Sequence, residues 1–448
     1  MDVNYTADRP WPRPRYAWYV VFILVLAYTN SFVDRQIIAL LVGPIRADLG
    51  ISDTQISLLM GFSFAVFYCL MGLPIARLAD SGNRRNIIAI GMLFWSFMTI
   101  ACGLARNYWQ LFAARVGVGV GEAALSPPAY SMLTDYFPKE RLGRAISVYS
   151  TGVYIGAGLA YVLGGFVIGL VEAADPVSLP MVGELYPWQL AFLYVGLPGI
   201  LLVIVMWLTV REPFRQGVGV SQKAVPFRDV GAYLRLHRAT LTCHFLGLAI
   251  MGMVTIAFVS WIPEYFVRLH GWAAADIGLA FGLALMIFGT AGVYAGGWLA
   301  DILTRRGHRD SALRAIMVGY AMQIPLGLAV VLAPNGTVAV ILLLPFTFFL
   351  SFHQGLTFAA LQLICPNRLR AQLSALFMFV ANLIALGAGP TVAALLTDFV
   401  YRDPQALGLS LATMVAVLIP VGLVILRLGL APFRASVAHV EAAETAGA

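Results

Sequence analysis

Leu78-Ala79-Asp80-Ser81-Gly82-Asn83-Arg84-Arg85 and Leu299-Ala300-Asp301-Ile302-Leu303-Thr304-Arg305-Arg306 are two copies of one pattern. In each, Leu-Ala-Asp is followed by a pair of arginines at the same distance. The copies stand 221 positions apart, Leu299 matching Leu78. Chance basic loops explain the arginines, but they do not explain the matched Leu-Ala-Asp. Each copy follows the second long apolar run of its own half of the chain. Equal placement in equal orientation implies a parallel repeat about an axis along a membrane normal.

Outward from these loops the chain is a succession of apolar runs. Of 448 residues, 60% are hydrophobic and 11% charged, against roughly 25% charged in soluble domains. A run of about 20 apolar residues spans the hydrocarbon layer as a helix, and lipid leaves free backbone groups no alternative partner. The runs predict twelve transmembrane helices, at 16–42, 55–77, 86–105, 108–134, 143–170, 189–210, 240–266, 275–300, 312–333, 338–363, 371–397 and 406–430. The first run, with Asp34 and Arg35 inside it, reads as a retained span and not a cleaved leader.

The 29 Lys and Arg residues test that count. Only Arg46, Arg106, Arg268 and Arg402 fall in loops of one side, and Arg35 and Arg115 fall inside spans. All others lie on the side of the N-terminus, which the positive-inside rule makes cytoplasmic. Both termini are therefore expected in the cytoplasm. The net charge of +7 belongs to these loops and does not indicate nucleic acid. The expected organisation is an all-α membrane protein: a six-helix half over 1–210, a basic linker over 211–239 and a second six-helix half over 240–448.

The stretch Gly297-Trp298-Leu299-Ala300-Asp301 resembles the G-x-L-A-D loop signature of the major facilitator superfamily. The first copy departs from it, with Ala76 and Asn83 where glycines are usual. The resemblance covers the whole chain. It implies that Asp80, Arg84 and Arg85, with Asp301, Arg305 and Arg306, form a cytoplasmic gate in which Asp80 engages the other half. It also implies alternating access.

Four charges inside spans need a reason, because each costs about 2.5–3.5 kcal/mol at mid-depth on the insertion scale. They are Asp34 and Arg35 in the first span and Arg115 and Glu122 in the fourth, and they sum to zero. At 1.5 Å per residue Asp34 lies about 12 Å, and Arg115 about 10 Å, from the same membrane face. An Asp34–Arg115 pair is therefore expected, with Glu122 about 10 Å deeper on nearly the same face as Arg115. Arg35 points away from Asp34 and needs its own partner or a water-filled cavity. Pure structural pairing is a poor route to stability. The quartet instead reads as proton-coupling carboxylates, Asp34 and Glu122, with Arg35 and Arg115 holding substrate or relaying charge. Asn30, His353, Gln354 and Asn382 are candidate polar cavity residues.

Asp34-Arg35, Arg115-Val116-Gly117-Val118-Gly119-Val120-Gly121-Glu122-Ala123 and Asp135-Tyr136-Phe137-Pro138 resemble the Spinster branch of that superfamily, most strongly over residues 28–150. The resemblance implies a lysophospholipid- or sphingosine-phosphate-like substrate. Gly152, Gly156 and Gly158 partly match the superfamily's antiporter glycine motif, with Ala157 where proline is usual.

Spans seven to twelve carry no deep charge. His244, Gln323, His353, Gln354, Gln362 and Asn382 read first as helix–helix hydrogen-bonding groups, and Glu264 with Arg268 as an interfacial pair. A charged first half and an apolar second half suit an amphipathic substrate. Cys69, Cys102, Cys243 and Cys365 lack metal or redox spacing and read as packing residues. No GxSxG or HExxH motif is present, so a membrane-embedded enzyme is the weaker alternative. The expectation is a monomeric, proton-driven secondary transporter of a bacterial inner membrane, with no cofactor, catalytic residue or metal. Its substrate is an amphipathic anion or, alternatively, a drug or small organic anion.

Overall fold

The computed structural model describes residues 11–172, 177–179, 183–215, 227–366 and 369–446. The chain divides into two compact units, residues 1–221 with 273–282 and residues 222–272 with 283–448. The first unit is built on the helices Pro14–Leu40, Asp53–Ser81, Arg84–Gly103, Tyr108–Tyr136 in two pieces, Lys139–Glu172 and Pro187–Thr209. The second is built on Arg238–His270, Thr290–Arg305, Ser311–Val331, Gly336–Leu363 in two pieces, Arg370–Tyr401 and Leu407–Ala446. Among the described residues ten helices are long and apolar enough to cross a bilayer. The remaining expected places, the fourth and fifth, hold the broken helix Tyr108–Tyr136 and a helix whose apolar part is Ile155–Leu170.

Each unit repeats one packing pattern. In the first, the third helix packs on the fourth and sixth, and the first helix on the fifth and sixth. In the second, Ser311–Val331 packs on Gly336–Leu350 and Leu407–Ala446. Arg238–His270 packs on the pieces of Arg370–Tyr401 and again on Leu407–Ala446. The glycines of the fourth helix explain its close approach to two neighbours. A Cβ on Gly119 would meet the Phe64 carbonyl at 2.7 Å, and one on Gly121 would meet the Trp95 backbone nitrogen at 2.8 Å. Alternate glycines thus admit the second helix on one side and the third on the other.

Several expected spans differ in detail. The fourth breaks at Ala123–Leu125, directly after Glu122. Pro127 and Pro128 carry no N–H with which to continue the ladder, and Ala124 and Leu125 turn back onto the carbonyls of Gly121 and Glu122. The tenth breaks at Ser351–His353. The twelfth does not stop near 430. Its helix continues because Phe433, Val437 and Val440 recur at helical spacing and are buried. Ser436 Oγ on the same stretch meets His237 Nδ1 and Thr240 Oγ1, each at 2.8 Å. The linker holds a helix of its own, Phe227–Leu236. The chain is also not purely helical: Val177–Leu179 and Gly183–Leu185 form a short antiparallel ribbon, Ser178 opposite Glu184.

In the second unit Asp310, immediately before the helix Ser311–Val331, is buried. It accepts from Arg314 Nε at 2.7 Å and Arg434 Nη1 at 3.0 Å. Burial pushes its carboxyl up, but the Arg314 hydrogen bond and charge, with help from Arg434, outweigh burial and hold it below the usual carboxylate range. A carboxyl depressed in the folded state contributes stability that is present above its unfolded value, about 3.9. That stability is lost as pH falls through the lower folded value. Asp310→Asn is expected to lower stability at pH 7 by on the order of 1 kcal/mol, since both arginines reach solvent. Thermal melts of wild type and variant should differ at pH 7, and the gap should shrink as pH falls below about 4; a gap that does not shrink with acid would show that the carboxylate charge is not responsible.

Candidate functional site

The four charges of the first unit come together, but not in the expected pairing. Arg35 Nη2 lies 2.6 Å from Glu122 Oε2, with the Glu122 side chain fully buried and that of Arg35 18% exposed. Ser31 Oγ donates to the same carboxylate oxygen at 2.7 Å. Arg35, which the sequence left without a partner, is therefore the partner of Glu122. Its guanidinium also lies over the rings of Phe64, Phe32 and Tyr68, at 4.3, 5.2 and 5.6 Å from their centroids. Such cation–π contacts stabilise a charge where water is scarce.

Arg115 does not pair with the Asp34 carboxylate. Its Nη1 donates to the backbone carbonyl of Asp34 at 3.0 Å, and its Nε to the carbonyl of Leu59 at 3.2 Å. The second acceptor is supplied by a local change of winding. Leu58–Phe62 is a π-helical turn, in which the Ser63 N–H reaches back to the Leu58 carbonyl. The Leu59 carbonyl, which a continuous α-helix would give to that N–H, is left for Ser63 Oγ at 3.1 Å and for Arg115. Among the described residues Arg115 makes no ion pair, and its Nη2 has no hydrogen-bond partner.

Asp34 is fully buried. Asn30 Nδ2 donates to its Oδ2 at 3.0 Å, while Oδ1 has no hydrogen-bond partner among the described residues. Trp95 and Thr99 lie near enough to act on this carboxyl, yet Trp95 Nε1 and Thr99 Oγ1 complete no hydrogen bond. The site thus holds one ion pair joined by a hydroxyl, in which Glu122 Oε1 and Arg35 Nε have no hydrogen-bond partner among the described residues, one carboxyl with a single neutral donor and one guanidinium seated on backbone oxygens.

Asn30 and Ser31 stand one helical turn before Asp34 and Arg35, a spacing that was readable. Phe32, Phe64, Tyr68, Trp95 and Thr99 carried no signal beyond their residue types. The acceptor role of Leu59 depends on the π turn and has no side-chain signature.

At the arginine-rich end of the same unit Arg84 is buried and paired with Asp135, while its Nε lies 2.7 Å from Glu212 Oε1. Glu212 also accepts the backbone N–H of Arg85 at 2.9 Å. Arg85 itself bonds Asn86 Oδ1 and the Val210 carbonyl. Glu212, which the sequence did not single out, completes this network. The Asp80 side chain lies outside the described residues. In the second unit Asp301, Arg305 and Arg306 are exposed, and none makes an ion pair among the described residues. The buried charge at the corresponding end is Asp310.

Of the polar candidates in the second unit, His353 is half-buried at the break of its helix, its ring 4.8 Å from that of Tyr320. Gln354 is exposed, and Asn382 is half-buried at the start of the π turn Asn382–Leu386. Gln323 Nε2 donates to the Phe349 carbonyl at 3.2 Å, and His244 is buried with neither ring nitrogen hydrogen-bonded among the described residues. Glu264 and Arg268 form an ion pair of 2.9 Å.

Residues 24–390 match the Major Facilitator Superfamily. A crystal structure of a bacterial homolog to the human lysosomal transporter Spinster, in an inward-facing and occupied conformation, aligns with a TM-score of 0.76. The two are 30% identical over 95% of this chain and 97% of that one. An MFS-type efflux pump of Mycolicibacterium smegmatis is 29% identical over 96% of this chain and 95% of its own length. A probable L-galactonate transporter of Escherichia coli is 22% identical over 86% and 84%. With the helical repeat and the buried charges already in view, these likenesses identify a multi-pass membrane transporter: the chain belongs to the major facilitator superfamily, beside its Spinster members.

Proposed function

We propose that this transporter couples the movement of an amphipathic anion, of lysophospholipid or sphingosine-phosphate type, to protons by alternating access. Asp34 and Glu122 are the proton sites in this reading, and Arg35 and Arg115 the anion-binding groups. The observation that carries it is the uneven provision of donors in the quartet. Glu122 takes two, one of them charged, from Arg35 and Ser31, whereas Asp34 takes one, from the neutral amide of Asn30; each keeps one oxygen without a hydrogen-bond partner among the described residues. A buried carboxylate so poorly provided with donors is costly, and a proton removes that cost. Arginine keeps its charge. A proton on Asp34 therefore leaves the site one positive charge in excess, which an anionic headgroup can balance. A proton on Glu122 would release Arg35, which its aromatic neighbours still support.

The two protonation states then favour different helix arrangements, and differential affinity of a few kcal/mol moves such a population. The reading takes the molecule as twelve-pass, with both termini cytoplasmic as the basic loops require, in a bacterial inner membrane. It acts as a monomer, because one chain supplies the whole quartet, and a proton gradient is its energy source. A small hydrophilic acid is the second reading, supported by the sugar-acid transporter among the relatives. The inner gate is assigned to Asp80, Arg84, Arg85, Asp301, Arg305 and Arg306.

Asp34→Asn and Glu122→Gln should each abolish transport driven by a pH gradient in reconstituted vesicles while leaving a folded protein. Spin-label distances on each face should respond to pH between about 5 and 8 in wild type and lose that response in both variants. An unchanged response in both would return the quartet to a packing role. Arg35→Ala should weaken binding of charged lysolipids by about tenfold or more and of neutral ones little; equal losses would make Arg35 structural. Absence of any tail-length dependence would favour the small-acid reading. Asp80→Asn should shift the ratio of inward- to outward-open distances, and an unaltered ratio would remove Asp80 from the gate.

A further inference from the structure

We infer that the first unit carries a binding site for an anionic phospholipid at its arginine-rich end, separate from the buried quartet. The site is a cavity of about 590 Å³ whose walls include Arg13, Tyr16, Tyr136, Arg211 and Phe214, a volume in the range of small-molecule pockets. All of its lining belongs to the first unit.

Its walls are fixed by the local hydrogen bonding. Tyr16 Oη donates to the Thr209 carbonyl and accepts the Arg211 N–H, both at 2.8 Å. Tyr136 Oη donates to the Arg211 carbonyl. The backbone at 209–211 is thus pinned by two tyrosines. The floor is Asp135 and Glu212, both already held by Arg84. What remains uncommitted is cationic. Arg13 and Arg211 are exposed, and neither side chain makes an ion pair or hydrogen bond among the described residues. A guanidinium pair facing one cavity matches the oxygens of a phosphodiester, which arginine binds with paired N–H donors.

Position selects a lipid over a soluble phosphate. The cavity lies where three helices end, at Pro14, Tyr136 and Thr209. Those are the ends of apolar runs, the depth at which headgroups sit. Two apolar side chains of its wall reach far out of the protein: Leu208 is 80% and Phe214 64% exposed. A soluble ion gains nothing from them, whereas acyl chains do. Basic pockets at helix ends on a charged leaflet recognise anionic headgroups on this principle.

Native mass spectrometry of the full chain, titrated with phosphatidylglycerol or phosphatidylcholine in mixed micelles, tests the site. Wild type should retain one phosphatidylglycerol in preference to phosphatidylcholine. Arg13→Gln/Arg211→Gln should lose that preference, with retention weakened about tenfold or more, and each single variant should fall between. Both residues are exposed, so size-exclusion profiles and melting midpoints without lipid should be unchanged. Arg228→Gln, an exposed cation of the second unit, should behave as wild type. The inference is overturned if phosphatidylcholine is retained equally, if Arg228→Gln weakens retention as much as the double variant, or if inorganic phosphate alone displaces the lipid.

Discussion

A guanidinium inside an apolar layer cannot shed its proton, so the protein must bring acceptors to it. The placement of Arg115 satisfies that constraint and organises the first unit. Its two contacts are to carbonyls on two different helices, so one side chain ties the first, second and fourth helices together. The second helix reaches it through a turn of altered winding at Leu58–Phe62. The fourth approaches closely because Gly119 and Gly121 present no side chain to their neighbours. The Arg35–Glu122 pair obeys the same constraint differently, with a carboxylate, a hydroxyl and three aromatic faces sharing one charge.

The repeat transmits packing but not charge. At the arginine-rich end of the first unit a cation, Arg84, is buried between two carboxylates. At the matching start of the third helix in the second unit an anion, Asp310, is buried beside two arginines. Arg84 draws its partners from the end of the fourth helix, Asp135, and from just beyond the sixth, Glu212; Asp310 draws its own from the first turn of the next helix, Arg314, and from within the last, Arg434, with the signs exchanged. Either arrangement neutralises a buried end, so selection on packing alone does not choose between them. Within the bilayer the units diverge further: among the described residues the buried polar groups deep in the second unit's helices, such as Gln323 and His244, include no carboxylate or guanidinium, and the buried pair Glu264–Arg268 sits near a helix end.

The helices were legible because hydrocarbon thickness imposes run length, and the repeat was legible because Leu-Ala-Asp recurs in phase. The quartet was legible because charge in an apolar run is rare. The pairing within it was not. Spacing placed Asp34 and Arg115 at one depth, but depth leaves rotation and helix winding undetermined, and both decide which oxygen a guanidinium meets. The break after Glu122 could have been read from Pro127 and Pro128, and the continuation of the last helix from Phe433, Val437 and Val440. Glu212 gave no signal, since a lone glutamate among loop arginines is ordinary. Nothing in the residue types at Leu58–Phe62 announces a π turn.

That turn makes helix winding and charge placement one variable. If Leu58–Phe62 rewound as regular α-helix, the Ser63 N–H would reclaim the Leu59 carbonyl and Arg115 would lose an acceptor. One inserted residue corresponds to about 100° of rotation and 1.5 Å of rise. Everything on the far side of the turn, from Ser63 to the Leu78-Ala79-Asp80 loop, would then rotate and advance by that step as a single shaft. The guanidinium is in this sense a pawl, and the second helix a ratchet with a tooth one residue wide.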